Sequence, residues 1–154
     1  MDSVSVVQAL ATAFATVLTG CLGLIVNSFV KECIAFRKHI GIVGSTLFQY
    51  RSLLENIRTL DESEDKKRID DAKCVCEKMK KLSADIRKYM VSIVFYDFYS
   101  KIRIVPSWRD ALSAAEYLSL LSYALNEKGK DGTQISREIQ EVFRLLGIAR
   151  MYGK

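Results

Sequence analysis

Charge is missing from one end of this chain. The first 30 of its 154 residues carry only Asp2, and all 23 Lys and Arg residues lie at or after Lys31. Breakers are scarce too: proline occurs once, as Pro106, and glycine eight times, in a chain that is 49% hydrophobic. Such a composition argues against disorder and for a mostly helical protein with one modest core. A single histidine, His39, and four cysteines, Cys21, Cys33, Cys74 and Cys76, leave too few ligands for a zinc site built on two cysteine pairs or a Cys/His set. The cysteine spacing makes no secreted disulfide framework, and reduced thiols are the simpler expectation.

The same scarcity bears on catalysis. No GxSxG, HExxH or glycine-rich strand-to-helix turn occurs, and no Glu-x-x-His pair offers a carboxylate site inside a bundle. The expectation is a protein that is not an enzyme, with no cofactor, no metal and no small-molecule substrate. Nucleic acid is disfavoured despite a net charge of +5, because Lys66-Lys67-Arg68 is followed by Asp70-Asp71, and mixed signs describe a solvated face rather than a phosphate-tracking stripe. Glu127 to Gly132, with two glycines and two lysines, lacks the order of a phosphate-binding loop and reads as a turn.

What is present begins with 28 uncharged residues, Ser3 to Val30. A helix of that length reaches about 42 Å, more than the ~30 Å hydrocarbon core of a bilayer. A cleaved signal peptide is the competing reading, on the small-x-small triplets Ala11-Thr12-Ala13 and Ala13-Phe14-Ala15. It lacks a basic n-region, and the apolar run continues well past Ala15. A buried helix of a soluble fold is the third, since Gln8, Asn27 and many Ala, Thr and Ser dilute the segment. Lys31, Arg37, Lys38 and His39 follow the segment and only the terminal amine precedes it, so a span would place its N-terminus outside and the body in the cytoplasm.

Within the uncharged segment Ala9, Ala13, Thr16, Gly20 and Gly23 supply small residues four apart, the spacing that lets helix backbones approach in lipid. Gln8, Thr12, Thr16 and Thr19 form a polar stripe, read either as interhelical hydrogen bonding or as the lining of a pore-forming ring. Across Lys31 the apolar residues Leu22, Val26, Phe29, Cys33, Phe36, Ile40, Val43, Leu47, Tyr50, Leu54 and Ile57 alternate steps of four and three without a slip. That heptad seam predicts one helix running from the uncharged segment into the charged body, with Gly41 and Gly44 inside it.

Asp61 to Asp71 is charge-dense and reads as a hairpin leading to a helix start, with Ser63 or Asp65 as cap. A second helix is predicted over Lys66 to Arg103, carrying its seam on Ile69, Ala72, Cys76, Met79, Ser83, Ile86, Met90 and Ile93, and folding back antiparallel on the first. Ser107-Trp108-Arg109-Asp110 resembles a capping box for a third helix ending near Asn126, with Leu112 and Leu125 among its inward residues, and Thr133 is expected to cap a fourth that stops at Gly147. Phe95, Tyr96, Phe98, Tyr99 and Trp108 are too many rings for one face. Of that region Tyr96, Tyr99, Lys101, Arg103, Trp108 and Arg109 are a candidate membrane-interface or partner patch, against ordinary core packing. Asp97, between two tyrosines, is either a buried acid or an ion-pair partner.

The sequence thus predicts an all-α chain: a single N-terminal transmembrane helix continuing into a cytoplasmic antiparallel helical hairpin plus two shorter helices. Residues 1–30 are the anchor, 31–148 the helical domain and 149–154 a short basic tail. The expected function is a membrane-anchored interaction or assembly protein that self-associates or holds a protein partner. Its expected partners are the lipid bilayer and either a second copy or another protein.

Overall fold

The computed structural model describes residues 3–56, 66–124 and 131–148; before Val30 it describes the side chains of residues 8, 11–20, 23 and 27 only. Within these, all regular structure is helical: α1 (Ser3–Glu55), α2 (Lys66–Ser92), α3 (Tyr96–Lys101), α4 (Trp108–Ser122) and α5 (Gly132–Leu145). α1 is one helix of 53 residues, about 80 Å long, and it passes Lys31, Gly41 and Gly44 without a break, as the unslipped seam requires. Cys33, Phe36, Ile40, Val43, Leu47 and Leu54 on that seam are buried. The seam positions Leu22, Val26, Phe29 and Ile57 lie outside the described side chains.

The C-terminal half of α1 joins α2, α4 and α5 in a closed antiparallel bundle. Phe36 stacks on Tyr89 at 5.7 Å between centroids while Lys78 donates to the Tyr50 hydroxyl at 2.9 Å, so α1 and α2 run in opposite directions. Ser83 Oγ donates to the Ala115 carbonyl at 2.6 Å and Cys76 Sγ to that of Leu121 at 3.9 Å, which does the same for α2 and α4. Arg51 bonds Glu55 and reaches across to Ser136 Oγ, both at 2.8 Å, tying α1 to α5. At that junction the backbones nearly touch: a Cβ on Gly132 would stand 2.6 Å from the Glu55 carbonyl oxygen, so only glycine lets α5 start there.

The arrangement corrects the expected hairpin topped by a shorter pair. α2 makes its most extensive interface with α4, not α1, because Ala111, Ala114 and Ala115 give α4 a flat buried face that lets the two helices approach closely. The second helix is also shorter than expected. It ends at Ser92, Phe95 takes a left-handed conformation (φ 61), and α3 begins at Tyr96. A non-glycine residue in that region costs roughly 1–2 kcal/mol, offset here by packing. The turn carries Tyr96 into the core, 6.4 Å from the Phe36 ring and edge-on to Trp108 at 5.2 Å, and lets Val105 follow it inward.

Local signals at helix ends mostly act as the sequence implies. Ser107 caps α4, its Oγ accepting from the Asp110 N–H at 3.0 Å and donating to the Asp110 carboxylate at 2.7 Å. α5 is capped by Asp131 rather than Thr133, with Oδ1 accepting from the Gln134 N–H at 2.8 Å. A carboxylate is the stronger acceptor at a helix N-terminus, and it adds favourable charge against the dipole. Gly147, at φ 71, ends α5: the Ile148 N–H reaches back to the Phe143 carbonyl at 2.8 Å and Ile148 is buried. Leu112, expected inward, is exposed, as is Asp97. The caps proposed at Ser63 or Asp65, the positions Leu125 and Asn126, and the tail 149–154 lie outside the described residues.

Among the described residues no helix is long and apolar enough to cross a membrane. The expected span over residues 1–30 is therefore not met by them. In that half they comprise mainly Ala, Thr and Gly with the amides Gln8 and Asn27, whereas the more apolar Leu10, Leu22, Leu24, Ile25, Val26 and Phe29 have side chains outside the described set.

Candidate functional site

The N-terminal half of α1 has no cover from its own chain where its side chains are described. Every residue from 11 to 20 is exposed, nearly three turns in which no face is turned to the bundle, and Phe14 (70% exposed), Val17 and Leu18 are open to the surroundings. Of the small residues singled out for association, Ala13, Thr16, Gly20 and Gly23 are exposed, and a side chain placed on Gly20 or Gly23 would meet nothing within 4 Å. Ala9 lies outside the described side chains.

The polar stripe is closed on itself. Thr12 Oγ1 donates to the Gln8 carbonyl at 2.9 Å, Thr16 to that of Thr12 at 2.8 Å and Thr19 to that of Ala15 at 2.8 Å. Each hydroxyl donates to the helix's own backbone, as helical Ser and Thr commonly do, leaving acceptor lone pairs outward. The stripe thus presents a less polar surface than its composition implies.

At the base of this projecting half, the end of the bundle gathers the aromatic region. Because α2 runs antiparallel to α1, its last turn, α3, the α3–α4 connection and the end of α5 all meet α1 near Phe36 and Arg37. The candidate patch divides there. Tyr96 is buried, and burial raises its phenol above the ordinary value of 10.0; Tyr99 is half-buried, while Lys101, Arg103, Trp108 and Arg109 are exposed. Phe95, Phe98, Val94 and Ile102 stand exposed beside them, Phe95 at 67% and Phe98 at 58%. By sequence, Phe95 and Phe98 are among the rings too many for one face but lie, with Val94 and Ile102, outside the candidate patch, although Phe95, Phe98 and Ile102 fall out of phase with the α2 seam, the signal that would have placed them there.

Two concavities flank this end. One of about 670 Å³ is lined by Phe95, Tyr96, Asp97, Phe98 and Trp108. The other, a groove of about 510 Å³, runs between α1, the α3–α4 connection and the end of α5, and carries Arg37, Arg103 and Arg144 on its walls, with Asp110 as the acid among them. Arg144 is held by Glu141 at 2.7 Å. Arg103, like Phe95, adopts φ 61, so among the described residues both non-glycine positions with a left-handed backbone lie at this end.

His39 lies inside the bundle rather than on a flank of the projecting segment. Its Nε2 is 3.5 Å from the Leu82 carbonyl and its ring 5.2 Å from Tyr89. Burial pushes its pKa below the ordinary 6.5, outweighing the Leu82 carbonyl and the Asp85 carboxylate, which both favour the charged form. Below the unfolded value the unfolded chain takes up the proton more readily than the folded one, so stability falls as pH drops through about 6.5. Stability measured by chemical denaturation is expected to decline from pH 7 to 5.5 in the native chain. In His39→Gln that slope flattens; an unchanged slope would assign the effect to other groups.

Among the described residues no group of three or more His, Cys, Asp or Glu side chains is placed to hold a metal ion. Of the described cysteines Cys33 and Cys76 are buried and Cys74 is exposed, all as free thiols. Comparison with protein-family models, curated proteins and solved structures finds no match for this chain.

Proposed function

We propose that this protein is a membrane-anchored assembly module, in which the uncharged half of α1 lies in the bilayer and the bundle is held at the cytoplasmic face, where it self-associates or retains a protein partner. The observation that carries this reading is the run of ten consecutive α1 residues, 11 to 20, exposed on every side. An isolated stretch of helix without a packed face is marginal in water, and the exposed Phe14, Val17 and Leu18 on this one call for a cover that the chain itself does not supply. Support comes also from the uncharged sequence Ser3 to Val30 and from the self-satisfied threonine hydroxyls, which lower the penalty of leaving water. The orientation, N-terminus outside, rests on Lys31, Arg37 and Lys38 following the segment.

Association through the small-residue face is tested with Gly20→Leu and Gly23→Leu. Both positions are open on their own chain, so the bulk of leucine disturbs only contacts with another helix. In mild detergent the native chain is expected to run as an oligomer and the double variant to shift toward monomer. A native chain that is monomeric would remove self-association and leave the capture of a different protein. The alternative of a pore-forming ring predicts dye release from liposomes.

A further inference from the structure

The exposed apolar side chains at the end of the bundle raise a separate question. Val94, Phe98, Ile102 and Trp108 are exposed, and they lie on the α2–α3 turn, on α3 or its C-cap, or at the start of α4, the end at which α1 leaves the bundle. Interleaved with them are the exposed Lys101, Arg103 and Arg109, and Arg37 stands across the groove from Arg103. The ion pairs among the described residues involve none of these four cations. Glu32 and Asp97 are the nearby exposed acids, and Asp110 is engaged by Ser107. The surface is thus aromatic, apolar and net positive.

Distance decides what can cover it. Val30 ends the uncharged segment and Cys33 is the first buried residue among those described, so the two are separated by only about 4.5 Å along the helix axis. A headgroup layer is roughly 5–7 Å deep on each side of the hydrocarbon. A bundle that begins so close to the end of a span has its end face inside that layer. Rings with cationic neighbours are suited to such a depth, since the rings reach the acyl boundary while the cations meet phosphates.

We propose that the α2–α3 turn, α3 and the start of α4 form a second membrane contact that docks the bundle on anionic phospholipid, with Phe98, Ile102 and Trp108 entering the interface and Lys101, Arg103 and Arg109 binding headgroup phosphates. The inference rests on the anchored reading above and adds a docking surface and a lipid class to it. It makes the bundle a rigid body seated on the bilayer rather than one swinging on a free stalk.

Trp108 is the only tryptophan of the chain and reports on this surface directly. The full chain is reconstituted in vesicles of phosphatidylcholine, alone or mixed with phosphatidylserine, and its retention is checked by alkaline carbonate wash. Trp108 fluorescence is then quenched either by lipids brominated near the glycerol end or by aqueous acrylamide. Docking predicts strong quenching by bromolipid, weak quenching by acrylamide and a gain with phosphatidylserine. In Lys101→Glu with Arg109→Glu that gain should be lost, the docking equilibrium falling by about fivefold for each cation removed. A retained chain whose Trp108 is quenched by acrylamide as freely as a soluble indole overturns the docking and leaves the anchor standing. Trp108 shielded from both quenchers also overturns it, in favour of a protein contact. A chain washed off the vesicles overturns the anchor and the docking together.

Discussion

Replacing Phe36 by alanine is expected to remove about 3–5 kcal/mol of bundle stability, a large share of the 5–15 kcal/mol that holds a typical domain together. The ring is fully buried and lies at the meeting of three elements, stacked on Tyr89 at 5.7 Å and tilted against Tyr96 at 6.4 Å. Truncation removes those ring contacts and leaves a cavity that α1 cannot close, because a continuous helix does not bend inward over one turn. Tyr96 would lose the surface against which it is packed, and with it the gain that offsets the left-handed turn at Phe95. Phe36→Leu, which keeps most of the volume, should lose less than half as much. The measurement is a urea melt followed by circular dichroism at several pH values above 7, where His39 is neutral in both states. A midpoint for Phe36→Ala within error of the native chain would show that the end of the bundle is not packed as described.

The second large effect is expected from Val17→Lys combined with Leu18→Lys. Both native side chains are exposed on α1, at 65% and 48%. In water the double change should be close to neutral for folding, or stabilising, since it removes exposed apolar surface. In a bilayer each lysine near the middle of a span opposes insertion by about 2.5–3.5 kcal/mol, and a segment diluted by Ala, Thr, Gln8 and Asn27 has little surplus to absorb two of them. The native chain should therefore stay with membranes through an alkaline carbonate wash and the variant should leave them, with the bundle's melt unchanged. If native and variant are washed off alike, the uncharged half of α1 is not an anchor. In that event its apolar faces call for a protein cover, which the oligomeric state of Gly20→Leu with Gly23→Leu reads independently.

These two experiments probe opposite halves of one helix, and the division between them was visible in the amino-acid order. The loss of charge before Lys31 and the unslipped spacing from Cys33 to Leu54 are properties of α1 alone. Each follows from the period of a helix, which places residues three and four apart on one side regardless of what covers it. The same holds for the inward residues of α2, for the cap at Ser107 and for the stop at Gly147, all of which depend on groups within a few residues of one another.

The candidate patch fared differently. Tyr96, Tyr99, Lys101, Arg103, Trp108 and Arg109 are close in sequence, yet Tyr96 is in the core while Phe95 and Phe98, its neighbours, are exposed. The reversal comes from one residue, Phe95, at φ 61. No glycine or proline marks that position, and the conformation goes with the packing of Tyr96 against Phe36 and Trp108. His39 is a parallel case: grouped by sequence with the basic residues that follow the uncharged segment, it is turned inward onto Leu82 and Tyr89.

By itself, then, the order of residues determined that the chain is helical, where α1 changes from uncharged to charged without a break, and which side of each helix is apolar. Tertiary structure decided which sides meet. α4 lies against α2 because its alanines permit close approach, α5 starts where Gly132 clears the Glu55 carbonyl, and the turn at Phe95 goes with the packing of Tyr96 against a distant ring on α1. Periodicity is a property of neighbours along a chain, whereas fit is a property of surfaces brought together from far apart in it, and no local pattern encodes the second.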